Sequence, residues 1–154
     1  MLEPKKTFVI CDCPLSKQAH QELFGFPDDV YIFADTDVYS LLQPLCLNIN
    51  TVIHIAATWT TTLKLILNEN NITAKNAIDV IKPFLKENDE RSLMQIAEID
   101  DIFNRLYYAK RFDILRKTCS AAVKTIIENL KNPLCQIQCH LAAHSTKVIV
   151  ASSL

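Results

Sequence analysis

Apolar positions along this chain follow two rhythms. In the first third they come as short unbroken runs at nearly even intervals: Thr7-Phe8-Val9-Ile10-Cys11, Val30-Tyr31-Ile32-Phe33-Ala34, and the stretch from Thr51 to Ala56. These runs are rich in β-branched and aromatic residues, the first two ending at Asp12 and Asp35 and the third leading into Thr58-Trp59-Thr60. Runs of this length read as buried strands. Leu15 to Phe24 and Val38 to Leu47 lie between them with helical spacing, the first stopped by Gly25 and Pro27, the second interrupted by Pro44. Strands alternating with helices predict βαβ units and a parallel sheet, with all three strand ends delivered to one edge.

Past Thr58 the rhythm lengthens to three and four. It predicts helices from Thr61 to Asn70, from an N-cap at Thr73 to about Asn88 with Pro83 disturbing it, and from Ser92 through Leu93, Ile96, Ile99, Phe103 and Leu106. A longer helix follows through Phe112, Leu115, Cys119, Val123, Ile126 and Leu130. Asn132-Pro133 reads as the cap and first turn of a last helix with Leu134, Ile137 and Leu141 inward. Lys147 to Ala151 reads as a final strand. The fold expected is one three-layer α/β domain over residues 1–154, with a short, mostly parallel sheet of about four strands and a helical C-terminal half.

Composition removes several functions. The chain of 154 residues has one glycine, Gly25. Phosphate-cradling loops need several glycines at fixed spacing, because the backbone must turn tightly and approach the ligand. No P-loop, dinucleotide fingerprint or nucleophile elbow fits, so no nucleotide cofactor bound by a glycine-rich loop is expected. The opening Met1-Leu2-Glu3-Pro4-Lys5-Lys6 lacks a signal-peptide pattern, and no apolar stretch is long enough to span a bilayer. A cytoplasmic protein that makes no membrane contact is expected, with its six cysteines reduced. Net charge is −1, yet residues 28–101 hold twelve acids against five bases, and residues 102–154 hold eight bases against two acids.

The best metal candidates are the carboxylates Asp12, Asp35 and Asp37. With the first two strands adjacent, Asp12 and Asp35 share an edge, where a few carboxylates plus waters suit Mg²⁺. Acids at strand ends also serve as caps for the helix that follows. The run from Val30 through Asp35-Thr36-Asp37-Val38 to Leu42 resembles the opening strand of PIN-domain ribonucleases, where an apolar strand enters Asp-Thr-(Asn/Asp)-Val and an apolar helix. Residues 134–151 share that family's helix-then-strand cadence. The resemblance implies a Mg²⁺-dependent ribonuclease with Asp35 as first ligand. The family's glutamate falls at Thr58-Trp59-Thr60-Thr61-Thr62 and its later aspartates at Asn132-Pro133-Leu134-Cys135, so those acids are missing here.

Cys135, Cys139, His140 and His144 have metal-like spacing, but on the expected helix the two pairs diverge by about a hundred degrees. Buried thiols and surface imidazoles are the plainer reading, and His54, inside a strand, reads as a core residue. The stretch containing Arg105, Tyr107, Tyr108, Lys110, Arg111, Arg116 and Lys117 is a candidate face for RNA or a protein partner, combining bases with stacking rings. With no complete catalytic set in view, the function expected is a non-catalytic protein-interaction or regulatory module, through a partner or self-association. The alternative is a PIN-like, Mg²⁺-dependent ribonuclease, either intact or degenerate.

Overall fold

The computed structural model describes residues 5–34, 37–131 and 133–153. Five strands form one sheet: β1 (Lys6–Cys11), β2 (Tyr31–Phe33), β3 (Thr51–Ala57), β4 (Gln136–Ala142) and β5 (Ile149–Ser152). Their order is β2-β1-β3-β4-β5. The first four run parallel, and β5 is antiparallel to β4. The helices are α1 (Pro14–Phe24), α2 (Val38–Leu45), α3 (Trp59–Leu67), α4 (Ala74–Ile81), α5 (Glu87–Leu93), α6 (Ile99–Tyr108) and α7 (Phe112–Leu130). Among the described residues no helix is long and apolar enough to cross a membrane.

The three early strands stand where their apolar runs place them. Pro14 starts α1, since its missing N–H costs nothing in a first turn, and Gly25 ends it in the left-handed region at φ 69°. The side chain of Asp37 caps α2. Thr73 and Asn76 cap α4 reciprocally. Pro83 divides what reads as one helix, because it cannot supply a backbone donor. The chain tightens into a 3₁₀ turn over Lys82–Phe84 and restarts at α5. Ser92 lies inside α5, its hydroxyl donating to the Asp89 carbonyl, so α6 begins later than expected, at Ile99.

The segment after Pro133 is the main correction: it is strand β4, not a helix. Cys135, Ile137, Cys139, Leu141 and Ala143 alternate with Gln136, Gln138, His140 and Ala142. That period of two puts the first set on the core face and the second on the face beneath α1. Asn132, expected as the cap, lies outside the described residues.

The two faces of the sheet differ sharply. One carries Ile10, Ile53, Ile55, Cys139 and Leu141 into a large core with α2, α3, α4, α6 and α7. The other is covered by α1, and its buried apolar cluster is only Val9, Cys11 and Ala56, with Phe26, Val30 and Tyr31 packed against it. The same interface also buries Ser16, His20, His54 and His140 beside the small apolar residues Ala19 and Ala142. Connection α1 therefore runs on one face and α2 on the other, leaving β1 between β2 and β3 as the point where the winding reverses.

Candidate functional site

Ligands in open α/β sheets bind beyond the carboxyl ends of the strands where the winding reverses. Here that rim joins Asp12, after β1, to Thr58, after β3. One Asp12 oxygen accepts from the Thr58 backbone N–H and hydroxyl, both at 2.9 Å, and the other accepts from the Ser16 hydroxyl. Asp37 accepts from the backbone N–H groups of Tyr39 and Ser40 at 3.0 and 3.3 Å, and from the Ser40 hydroxyl at 2.6 Å. The Ser40 hydroxyl is the main reason its carboxyl titrates below the usual range. Both acids thus secure helix starts while lining one cleft of about 380 Å³ with Tyr39, Lys64 and Glu69. Asp35 lies outside the described residues.

The basic stretch does not form one face. It breaks at Ala109–Arg111, between α6 and α7, where Lys110 takes a left-handed φ of 57°. Arg111 is committed to carboxylates, Asp89 and Asp113, and its guanidinium holds both acids below their ordinary range. Tyr107 stacks on Phe103 and packs against the core. Tyr108 is exposed beside Arg105 along a shallow surface on α6. Arg116 and Lys117 project from α7 near Ser152.

Two features escape a reading by sequence spacing. The first lies under α1, where three histidines from separate elements converge. Nε2 of His20 is 2.9 Å from Nδ1 of His54, and Nε2 of His140 is 3.0 Å from the same atom. The outer nitrogens face hydroxyls: His20 Nδ1 is 2.8 Å from Tyr31 Oη, and His140 Nδ1 is 2.7 Å from Ser152 Oγ. Phe24 and Phe26 wall the group with edge-on and tilted rings. All three histidines are buried. Burial, reinforced by the neighbouring imidazoles, pulls His20 down to about 3, and burial followed by His54 pulls His140 down to about 4. Burial lowers His54 as well. The cluster is therefore neutral at neutral pH. His140 and Cys139 face opposite sides of β4, so the cysteine–histidine spacing near the chain end divides across the sheet.

The second lies at the opposite, amino-terminal rim. The expectation of six reduced cysteines is corrected there, because Cys46 and Cys135 form a disulfide with Cα atoms 4.8 Å apart. The end of α2 meets the start of β4 at this point, and Leu134 N–H donates to the Cys46 carbonyl at 3.1 Å. Cys11, Cys13, Cys119 and Cys139 are free. Beside the bridge runs a groove of about 730 Å³ lined by Pro44, Leu47, Leu130, Pro133 and Leu134, with Lys131 at its edge. Leu47 is 77% exposed and Leu134 56%.

No family model, curated protein or solved structure matches this chain.

Proposed function

We propose that this chain is a non-catalytic interaction module that docks an apolar, acid-flanked segment of a protein partner in the groove beside Cys46–Cys135. The supporting observation is the exposed apolar lining held on a rigid frame. Leu47, Leu130, Pro133 and Leu134 line it, and a disulfide and a backbone hydrogen bond hold its two loops together. Exposed apolar surface gathered in one groove marks a contact site more than scattered single residues do. Loops ordered before binding spare a partner part of the ordering cost. The described lining residues include Lys131 and no acid, so acidic flanks complement the rim.

Selection of peptides from a random display library tests this reading. Enriched peptides should pair two apolar anchors with acidic neighbours and lose binding to a folded Leu134→Asp variant. Peptides that bind that variant equally well contradict the groove. Self-association of the free chain that Leu134→Asp abolishes would make the occupant a second copy instead.

The ribonuclease reading draws support from Asp12 and Asp37 lining one cleft at the carboxyl edge. Its own test is RNA cleavage with and without Mg²⁺, with Asp35→Ala as the control.

A further inference from the structure

The three inner nitrogens under α1 pose a counting problem. An imidazole nitrogen has one in-plane position, holding either a proton or a lone pair. His54 Nδ1 stands 2.9 Å from one inner nitrogen and 3.0 Å from the other. If it carries the proton, one N–H faces two lone pairs. If it does not, two N–H groups compete for one lone pair. Neither arrangement makes two full hydrogen bonds, and a buried polar group left short of a partner is costly.

A cation at the centre resolves the count. With His20 Nδ1–H donating to Tyr31 Oη and His140 Nδ1–H donating to Ser152 Oγ, both Nε2 atoms present lone pairs inward. His54 then presents Nδ1. Outer hydrogen bonds of this kind fix the tautomer and aim of metal-binding histidines.

We infer that His20, His54 and His140 form a binding site for a divalent first-row transition ion, Zn²⁺ in the first instance. Imidazole nitrogens suit such ions, whereas Mg²⁺ and Ca²⁺ prefer oxygen. Among the described residues, this is the group of three or more His, Cys, Asp or Glu whose donor atoms close on one point, all within 4.8 Å of one another. Zinc–nitrogen bonds of about 2.0–2.1 Å in a tetrahedron set the nitrogens about 3.3 Å apart, so the two contacts at His54 Nδ1, 2.9 and 3.0 Å, would open by a few tenths of an ångström, while the His20–His140 pair, within 4.8 Å, would settle at the same spacing. The fourth position goes to water or a small anion, as no further donor among the described residues belongs to the group. His20 rides on α1, while His54 and His140 stand on adjacent strands, so the ion would staple α1 to a sheet face whose buried apolar cluster is smaller than that of the opposite face.

The test uses the full chain freed of metal by a chelator. Calorimetric titration with Zn²⁺ should show one equivalent binding, with a rise in thermal midpoint. Co²⁺ should give visible bands of nitrogen and oxygen ligation without a thiolate charge-transfer band. His54→Ala, with its fold checked by circular dichroism, should weaken binding at least a hundredfold. Tyr31→Phe should weaken it by about tenfold, through loss of the outer hydrogen bond. His144→Ala should leave it unchanged. Because a histidine variant can lose the fold, ¹⁵N-histidine spectra of the unaltered chain give an independent reading. They should show ligation through Nε2 of two histidines and Nδ1 of one. Failure of the folded protein to bind one equivalent, binding unaffected by His54→Ala, or a thiolate band with Co²⁺ would each overturn the assignment.

Discussion

Nδ1 of His54 lies 2.9 Å from Nε2 of His20, across the boundary between the sheet and α1. The partners are 34 positions apart in the chain, and His140, which joins them at 3.0 Å, lies 86 positions beyond His54. The contact exists because β3 and β4 run parallel in a register that sets Ala56 opposite His140, and because α1 packs on that face. This interface, with its three buried histidines and Ser16, has a smaller buried apolar cluster than the opposite face to hold the helix down.

From that weakness comes a prediction about α1. In metal-free protein its amides should exchange with solvent faster than those of α7, whose Ile114, Leu115, Cys119, Ala122 and Ile126 are buried in the main core. Hydrogen-exchange mass spectrometry reads both helices at once. Equal protection of α1 and α7 would show that the polar face holds the helix as firmly as the apolar one.

Asp12 is a structural tie of the rim in this structure. Asp12→Ala removes the acceptor for the Thr58 N–H, the Thr58 hydroxyl and the Ser16 hydroxyl, and should cost roughly 1–3 kcal/mol. Asp12→Asn keeps one acceptor oxygen and should cost less. Urea denaturation midpoints check the order, and a neutral Asp12→Ala would contradict it.

Cys46–Cys135 closes a separation of 89 residues. Cys135→Ser should destabilise the fold by about 2–4 kcal/mol, since a long loop is released in the unfolded chain. The checks are peptide mapping under non-reducing conditions and denaturation with and without reductant. A fold whose stability ignores reductant would count against the bridge.

Acid should loosen the link between α5 and α7. Arg111 holds Asp89 and Asp113 below the carboxylate pKa they have in the unfolded chain. The unfolded state therefore takes up protons first as pH falls. Stability from this pair is full above about pH 4 and is lost as pH drops through the lower folded values. Arg111→Gln should lower stability at neutral pH by about 1 kcal/mol and flatten the decline below pH 4. Parallel acid curves for the two proteins would refute the role given to Arg111.

The sequence makes the frame legible and hides the sites. The runs at Thr7–Cys11, Val30–Ala34 and Thr51–Ala56 become β1, β2 and β3 because their length and β-branching leave little else they can form. Strand β4 is lost to an ambiguity. Leu134, Ile137 and Leu141 fit a helical period, while Cys135, Ile137, Cys139, Leu141 and Ala143 fit a period of two, and Asn132-Pro133 tips the choice wrongly. With β4 misread, His140 cannot stand beside His54. A histidine inside an apolar strand and another on the polar phase of a second strand are the only local signals of the cluster. Their meeting requires the parallel register and the position of α1, which no spacing rule supplies. The groove is hidden for the same reason, since its walls come from the ends of α2 and α7.

The most direct measurement is diffraction from crystals of the full chain grown with Zn²⁺, using data collected on both sides of the zinc absorption edge. An anomalous peak is expected about 2.0–2.1 Å from His20 Nε2, His54 Nδ1 and His140 Nε2, with α1 seated on the sheet. A map with zinc bound at the free cysteines or the rim carboxylates, and none among the three imidazoles, would contradict it.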